Sequence, residues 1–276
     1  MLKLGAFFLF VFTPLILADV PSRDVELVTC FEPPTGCGAL GDVQGFPDPV
    51  GPIVSSKTYT TSSLTLEANR FGESIFGTLR VSADSTFTEA GGLRGGTSTF
   101  ADFLDIVTID SPLFHGMPGE SSMGYTLDGT ITSSGFGSAQ AEVVGCAGSL
   151  DACETSLAQI QDYTSSVSGS FSFPDLFTFT YGTPFDLFFS LAAVDHYTGS
   201  GSATADFKNT LRLSSLQLFG PDGQPVTGAT FTSASGTQYG PNGVVPEPAS
   251  ALLLGSAAVL LISRCRKRSH RQRKFR

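Results

Sequence analysis

Residues 171–193 read FSFPDLFTFTYGTPFDLFFSLAA and carry the strongest secondary-structure pattern of the chain. Aromatic residues alternate with serine or threonine over residues 171–173 and 177–181. A similar period of two continues over residues 185–193. A period of two puts successive side chains on opposite faces of a β-strand. The pattern therefore predicts strands with one buried face and one face turned to solvent.

Shorter runs of the same kind occur on both sides of this stretch, at 63–66, 75–81, 125–127, 211–213 and 216–218. They are rich in Thr, Phe, Val and Tyr and are separated by glycine or proline at intervals of about ten residues, which is typical of strands. We therefore predict one all-β ectodomain over residues 55–232, an antiparallel β-sandwich or jelly-roll-like fold with most of the 24 phenylalanines in its core. A β-solenoid would show a fixed repeat, and we find none.

Three segments interrupt this pattern. Residues 198–202 read TGSGS and predict a turn, and residues 152–161 are the only short helical candidate. Residues 19–54 carry so much proline and glycine that we interpret them as an extended, loop-rich entry arm.

The charges of the chain are divided unevenly. Its formal net charge is −9, but eight of its 16 basic residues lie in 264–276 and all 25 acidic residues lie before them. Residues 1–263, with eight basic and 25 acidic residues, therefore carry −17. A body of this charge is not expected to bind nucleic acid or anionic lipid.

The N-terminus has the layout of a secretory signal peptide. Lys3 precedes a short apolar run over residues 6–17, and Ala18 is a small residue at a plausible cleavage point. The run is shorter than the roughly 20 residues that span a bilayer. We therefore predict a cleaved signal peptide over residues 1–18, with an uncleaved anchor as the alternative.

The C-terminus combines three parts in a fixed order. The proline motif Pro246, Glu247, Pro248 is followed by an apolar segment, predicted to be a transmembrane helix over 249–265, and then by a basic tail. The tail begins with Arg264, Arg266, Lys267 and Arg268, which should stay cytoplasmic and leave the body outside. Residues 233–243 are interpreted as a polar leader to this unit.

These three parts resemble the PEP-CTERM sorting signal of Gram-negative bacteria that make exopolysaccharide, over residues 244–276. The resemblance implies recognition by an exosortase-type membrane transpeptidase, with processing near the proline motif. It also implies an inner-membrane precursor, then a product at the cell surface or in the extracellular matrix. Between residues 181 and 236 the body is similar to a recurring group of PEP-CTERM ectodomains. This resemblance implies a fold class and a location but no activity. An ordinary C-terminal anchor without processing is the alternative.

Four of the five cysteines form two C-x6-C pairs, Cys30 with Cys37 and Cys146 with Cys153. In an exported chain an even number of cysteines predicts disulfides, and local loop closure favours these two pairings over the other connectivities. A zinc site built from the same four residues is the alternative, but zinc ligands usually lie two to four residues apart. Cys265 belongs to the basic tail.

No catalytic constellation is apparent in the sequence. It contains neither a G-x-S-x-G elbow nor an H-E-x-x-H motif, and His115 and His196 are interpreted as solvated loop residues. Asp102, Asp105 and Asp110 are interpreted as an acidic, solvated face without an EF-hand pattern. We therefore predict a non-enzymatic protein without cofactor or metal, and the resemblance to the sorting signal implies that it associates with extracellular polysaccharide.

Two other functions stay open at this point. A lectin-like carbohydrate-binding module suits a β-sandwich, although the chain has no tryptophan to stack on sugars. The tyrosines that remain for such a surface are Tyr59, Tyr125, Tyr163, Tyr197 and Tyr239. A glycoside hydrolase with a carboxylate pair is the third alternative.

Overall fold

The computed structural model describes residues 21–32, 42–49, 51–60, 64–89, 94–148 and 159–244. Within these ranges all regular secondary structure is β-strand, and no helix occurs. In chain order they are β1 (Ser22–Glu32), β2 (Asp42–Pro47), β3 (Ile53–Thr60), β4 (Leu64–Ile75), β5 (Thr78–Glu89), β6 (Arg94–Asp110), β7 (Pro118–Gly148), β8 (Gln159–Tyr163), β9 (Val167–Ser172), β10 (Phe177–Thr180), β11 (Pro184–Phe219), β12 (Thr230–Ser233), β13 (Tyr239–Gly240) and β14 (Gly243–Val244). The prediction of an all-β body is confirmed.

Twelve of these strands form one antiparallel, curled sheet, and β13 pairs with β14 separately. Half A of the sheet runs β2–β1–β6–β11–β7–β8 and uses residues 184–197 of β11. Half B runs β3–β4–β5–β11–β7, uses residues 201–219 of β11, and ends on β9 and β10. The two halves are thus joined through the long strands β7 and β11.

The bend between the halves lies where the sequence predicted a turn. The register between β11 and β7 shifts between Tyr197 and Gly201, and opposite this point Gly135 has a φ of 63°. Glycine adopts this left-handed conformation without the steric cost of a Cβ. The TGSGS segment is therefore a bend inside one continuous strand, and the prediction of a turn there was wrong.

The core fills the space between the inner faces of the two halves. Alternate residues of β6 and β11 point into it, including Phe103 and Phe189, whose rings stack at 5.9 Å. Leu66 and Leu79 of half B are fully buried in the same core cluster. Among the described residues seven phenylalanines are buried in the core and six more are partly buried against it, so the expectation that most of the 24 lie in the core is confirmed only in part.

A buried arginine joins the two halves. Arg70 of β4 is 1% exposed, and its guanidinium donates to Thr29 Oγ1 of β1 at 2.8 Å and to Ser55 Oγ at 3.1 Å. Beside it, a Cβ at Gly72 would overlap the side chain of Val25, so glycine lets β4 approach β1 closely. Burial lowers the pKa of Arg70 because the charged guanidinium is desolvated.

Three interpretations made from the sequence are corrected here. The entry arm is not loop-rich over residues 22–32 and 42–47, because these form β1 and β2 on the edge of half A. The helical candidate 152–161 ends in β8, whose residues pair with β7, and its first part lies outside the described residues. The body does not end at residue 232, because the segment 233–243, interpreted as a polar leader, packs on it: Ser233 belongs to β12, which pairs with β6, and Tyr239 donates to the buried Asp105.

Candidate functional site

A polar groove lies on the outer face of half B. It crosses four neighbouring strands, and two rows of directly paired residues form its floor. The first row is Thr78, Arg212, Thr126 and Ser170; the second contains Thr210, Asp128 and Ser168. The alternation that buries Leu79, Leu127 and Leu211 in the core turns these polar neighbours outward.

An irregularity in β11 shapes the middle of the groove. The register of β11 shifts between Phe207 and Leu211 against β5, and between Asp206 and Thr210 against β7. Thr210 has a φ of 129°, which is unusual for a β-branched residue and costs about 1–3 kcal/mol. Such bulges re-aim side chains and are frequent beside functional sites.

Arg80 fixes the strained segment from the neighbouring strand. Its Nε donates to Thr210 Oγ1 at 3.2 Å, and its Nη1 forms an ion pair with Glu73 Oε2 at 2.8 Å. The Arg80 side chain remains 40% exposed where it lines the groove. A guanidinium carries five N–H donors, so Arg80 has the capacity to donate to a ligand as well.

The groove has a cavity volume of about 770 Å³, within the range of small-molecule sites. Ile75 and Phe76 line it from the β4–β5 turn, and Thr237 and Gln238 line it from the segment after β12. Asn209 is exposed beside the strained Thr210. The lining therefore offers amide, hydroxyl, carboxylate and guanidinium groups together with one phenyl ring.

Away from the groove, the core holds a buried carboxyl group. Asp195 is 1% exposed, and its Oδ2 accepts from Ser85 Oγ at 2.8 Å and from Thr97 Oγ1 at 3.4 Å. Its Oδ1 has no hydrogen-bond partner among the described residues. Burial raises the pKa of Asp195 to about 8, and the nearby charge of Asp84 adds to the shift.

A second buried carboxyl group anchors the end of the body. Asp105 Oδ2 accepts from Ser235 Oγ at 2.5 Å and from Tyr239 OH at 2.8 Å, while Oδ1 accepts from the backbone N–H of Ser235 and of Ile106. Asp105 is fully buried. The prediction that it belongs to a solvated acidic face was therefore wrong. Burial, reinforced by Asp105, raises the pKa of the Tyr239 hydroxyl.

Acidic residues also face each other on the outer side of half A. Asp24 lies directly opposite Asp102, and Glu26 is next to them on β1. Burial raises the pKa of Asp102 to about 8, and the charges of Asp24 and Glu26 raise it further. Within the described residues, no group of three or more His, Cys, Asp or Glu side chains has a geometry that would hold a metal ion.

The predicted site residues lie mostly outside the described residues. This holds for Pro246, Glu247 and Pro248, for Arg264, Arg266, Lys267 and Arg268, and for Cys37 and Cys153. Cys30 is in β1, and Cys146 is buried in β7 and disulfide-bonded. The helix predicted over 249–265 is likewise not described, and in the described part of the chain no helix has the length and apolar character to cross a membrane.

The predictions for histidines and tyrosines are partly corrected. His115 is an exposed loop residue 2.9 Å from Asp110, as expected, but His196 lies within β11 and not in a loop. Tyr125, Tyr197 and Tyr239 are buried, so they do not form a surface for sugar stacking.

Sequence reasoning missed the groove, Asp195 and the anchor at Asp105. One signal was available for the two aspartates, because each occupies an inward position of an otherwise apolar alternation. No such signal marks the groove, since its residues come from strands far apart in the chain.

Comparisons with known proteins add no assignment. No protein-family model matches the chain. No curated protein and no solved structure matches it either.

Proposed function

We propose that this chain is an exported, non-enzymatic protein of the cell surface or extracellular matrix, sorted through its C-terminal segment and associated with exopolysaccharide. The observation that carries the proposal is the three-part segment of proline motif, apolar stretch and basic tail, which begins directly after β14. The proposed partner is an exosortase-type membrane transpeptidase. The proposed route runs from the inner membrane, with the body outside, to the surface or matrix.

The disulfide at Cys146 supports export. Disulfides persist in oxidising compartments and are rare in the cytosol. The body in this proposal is a β-sandwich or jelly-roll-like ectodomain, and the two facing halves of the curled sheet support that finer description.

The test of sorting is the substitution Glu247→Ala in the producing cell. Export should continue, because the signal peptide is intact, but processing at the motif should stop. The full-length form should then accumulate in the inner-membrane fraction, measured by fractionation and intact-mass spectrometry. Asn242→Ala, an exposed position ahead of the motif, serves as the matched control and should be processed normally. An identical short form in Glu247→Ala cells would reduce the motif to a helix start.

A carbohydrate-binding, lectin-like role is the second candidate, and the groove on half B favours it. The groove is open, and most of its lining residues carry side chains that donate or accept hydrogen bonds. The glycoside hydrolase alternative gains less support, because Asp128 is the single carboxylate among the described residues that line the groove. Incubation with polysaccharide substrates and analysis of released sugars tests that alternative.

A further inference from the structure

We propose that the groove on half B binds a neutral glycan segment. This inference rests on the proposed association with polysaccharide and names the site and the class of ligand. A neutral sugar chain carries many hydroxyl groups, each of which donates one hydrogen bond and accepts others. Its recognition therefore needs donors and acceptors side by side in one open site.

The groove provides this combination along its floor. Arg80 and Arg212 supply guanidinium donors, the Asp128 carboxylate supplies acceptors, and the Asn209 amide supplies both. Threonine and serine hydroxyls of the paired rows lie beside these groups, with Ser168 and Ser170 on β9 at one end of each row. The rows cross four strands, about 14 Å at the usual strand spacing, so the site is extended like a chain and not closed like a pocket for one small molecule.

The strained backbone at Thr210 is a second, independent observation. The bulge places Asn209 and Thr210 next to each other at the groove, and the contact with Arg80 holds Thr210 in its unusual conformation. A regular strand would avoid this cost. Strain of this kind is retained where the surrounding structure needs a particular side-chain placement.

The balance of charge decides between a neutral and an acidic glycan. The part of the chain between the predicted cleavage points, residues 19–247, has 25 acidic residues and only seven basic ones, which are Arg23, Lys57, Arg70, Arg80, Arg94, Lys208 and Arg212. Two of these seven line the groove, but Glu73 pairs with Arg80 and Asp128 lies in the same lining. The groove is thus close to neutral on a strongly negative body, which repels a polyanion.

One end of the groove adds an apolar contact. Phe76 lines the groove next to Ile75 and is partly buried. Its ring packs edge-to-face with Phe103 and lies under the Arg23 guanidinium, so it adds an apolar edge to the groove and not a platform for stacking.

Binding is tested with the full-length chain in detergent against a panel of tetrasaccharides. The panel contains cellotetraose, maltotetraose, mannotetraose and chitotetraose as neutral probes, and tetragalacturonate as the acidic probe. At least one neutral probe should bind with a Kd of about 1 mM or tighter in calorimetry, and more tightly than tetragalacturonate. Failure of every neutral probe, or preference for the acidic one, overturns the proposal.

Two variants locate the site. Asp128→Ala and Asn209→Ala remove exposed groups of the lining and should each raise the Kd about tenfold or more. Lys208→Ala is the matched control, because this exposed cation adjoins Asn209 but pairs with Asp206 and does not line the groove. If Asp128→Ala and Asn209→Ala bind the sugar as tightly as the unsubstituted chain, binding lies elsewhere and the inference is overturned. The same holds if Lys208→Ala loses as much affinity as these two variants.

A third variant guards against misfolding. Arg80→Lys keeps a cation for Glu73 but loses the planar fork and its contact with Thr210, so it should weaken binding; a melting temperature well above that of the titration separates this loss from unfolding. Hydrogen exchange should slow at residues 168–170 and 209–212 when the sugar is added.

The sorting test and the binding test fail independently. Sorting is measured by the Glu247→Ala fractionation, so a groove that binds no sugar does not affect the proposed route. A failed sorting test likewise does not affect the assignment of the groove.

Discussion

At the scale of single residues, the core contains polar groups whose protonation affects stability. One carboxyl oxygen of Asp195 accepts hydrogen bonds from Ser85 and Thr97. The other oxygen has no hydrogen-bond partner among the described residues. An ionised carboxylate in such a place is costly, so the neutral acid is favoured. Tyr197 completes the cluster, since its hydroxyl lies 2.8 Å from Ser85 Oγ and donates to the backbone oxygen of Ser85 at 2.6 Å.

We expect the free energy of unfolding to fall as pH rises. The pKa of Asp195 is raised to about 8, whereas an aspartate in the unfolded chain titrates near 4. Between about pH 4 and about pH 8 the folded state therefore holds a proton that the unfolded state has released, and stability is lost as pH rises through that window. Asp102 acts in the same direction. Urea denaturation at several pH values measures the effect.

The variant Asp195→Asn isolates the contribution of the buried group. An amide stays neutral, so the pH dependence should become shallower and the protein should gain stability at about pH 8 relative to the unsubstituted chain. Asp222→Asn is the control, because Asp222 is exposed in a turn and its Oδ1 accepts from the Gln224 N–H, a bond that Asn can keep. If Asp195→Asn and Asp222→Asn give the same pH dependence, Asp195 is ionised in the folded protein.

At the scale of elements, the segment from β12 to β14 is held to the body by a few directed contacts. β12 pairs with the end of β6, and Leu216 N–H donates to the backbone oxygen of Pro241 at 3.3 Å. Asp105 adds the buried anchor through Ser235 and Tyr239. The folded body thus reaches to β14, two residues before Pro246.

Tyr239→Phe should loosen this segment. The substitution removes one hydrogen bond to the buried Asp105 and should lower the free energy of unfolding by about 1–3 kcal/mol. Hydrogen exchange of residues 230–244 should become faster, because the segment opens more often. Tyr197→Phe removes a buried hydroxyl from the other cluster and is the control, with no faster exchange expected at 230–244. Unchanged exchange in Tyr239→Phe would show that strand pairing alone holds the segment.

At the scale of the whole molecule, strand register limits which cysteines can pair. Cys30 is aligned across half A with Gly96, then His196, then Ser138. Ser138 lies eight residues before Cys146 on β7, which is about 26 Å along a strand. Cα atoms of a disulfide lie within about 7 Å, so Cys30 is not the partner of Cys146.

We therefore expect peptide mapping without reduction to join Cys146 to Cys153. Gly145 pairs with Gln159, and in the sequence Cys153 lies between these two strands, seven residues after Cys146. The second expected bridge joins Cys30 to Cys37. A peptide that links Cys37 to Cys146 would contradict both local pairings. The control is the same digest after reduction, in which all linked peptides should separate.

The predictability of the fold differs between local and long-range features. The alternation at 177–181 correctly predicted a strand with Phe177 and Phe179 buried, because period-two burial is a property of each strand alone. The entry arm was predicted wrongly because glycine and proline density is a regional average. The short alternation in β1 becomes a strand once β6 provides its partners.

Local sequence was sufficient to predict the all-β class, the division of charge and the order of the C-terminal parts, since each of these depends on composition or on neighbouring residues. Long-range strand pairing was needed to show that TGSGS is a bend, that Asp105 and Asp195 are buried, and that Arg80 contacts Thr210. Glycine and serine suit a turn or a bend equally well locally, and the pairing of β7 with both parts of β11 selects the bend. The groove likewise exists only through pairing, because its four strands lie up to about a hundred residues apart and the register alone brings their polar sides together.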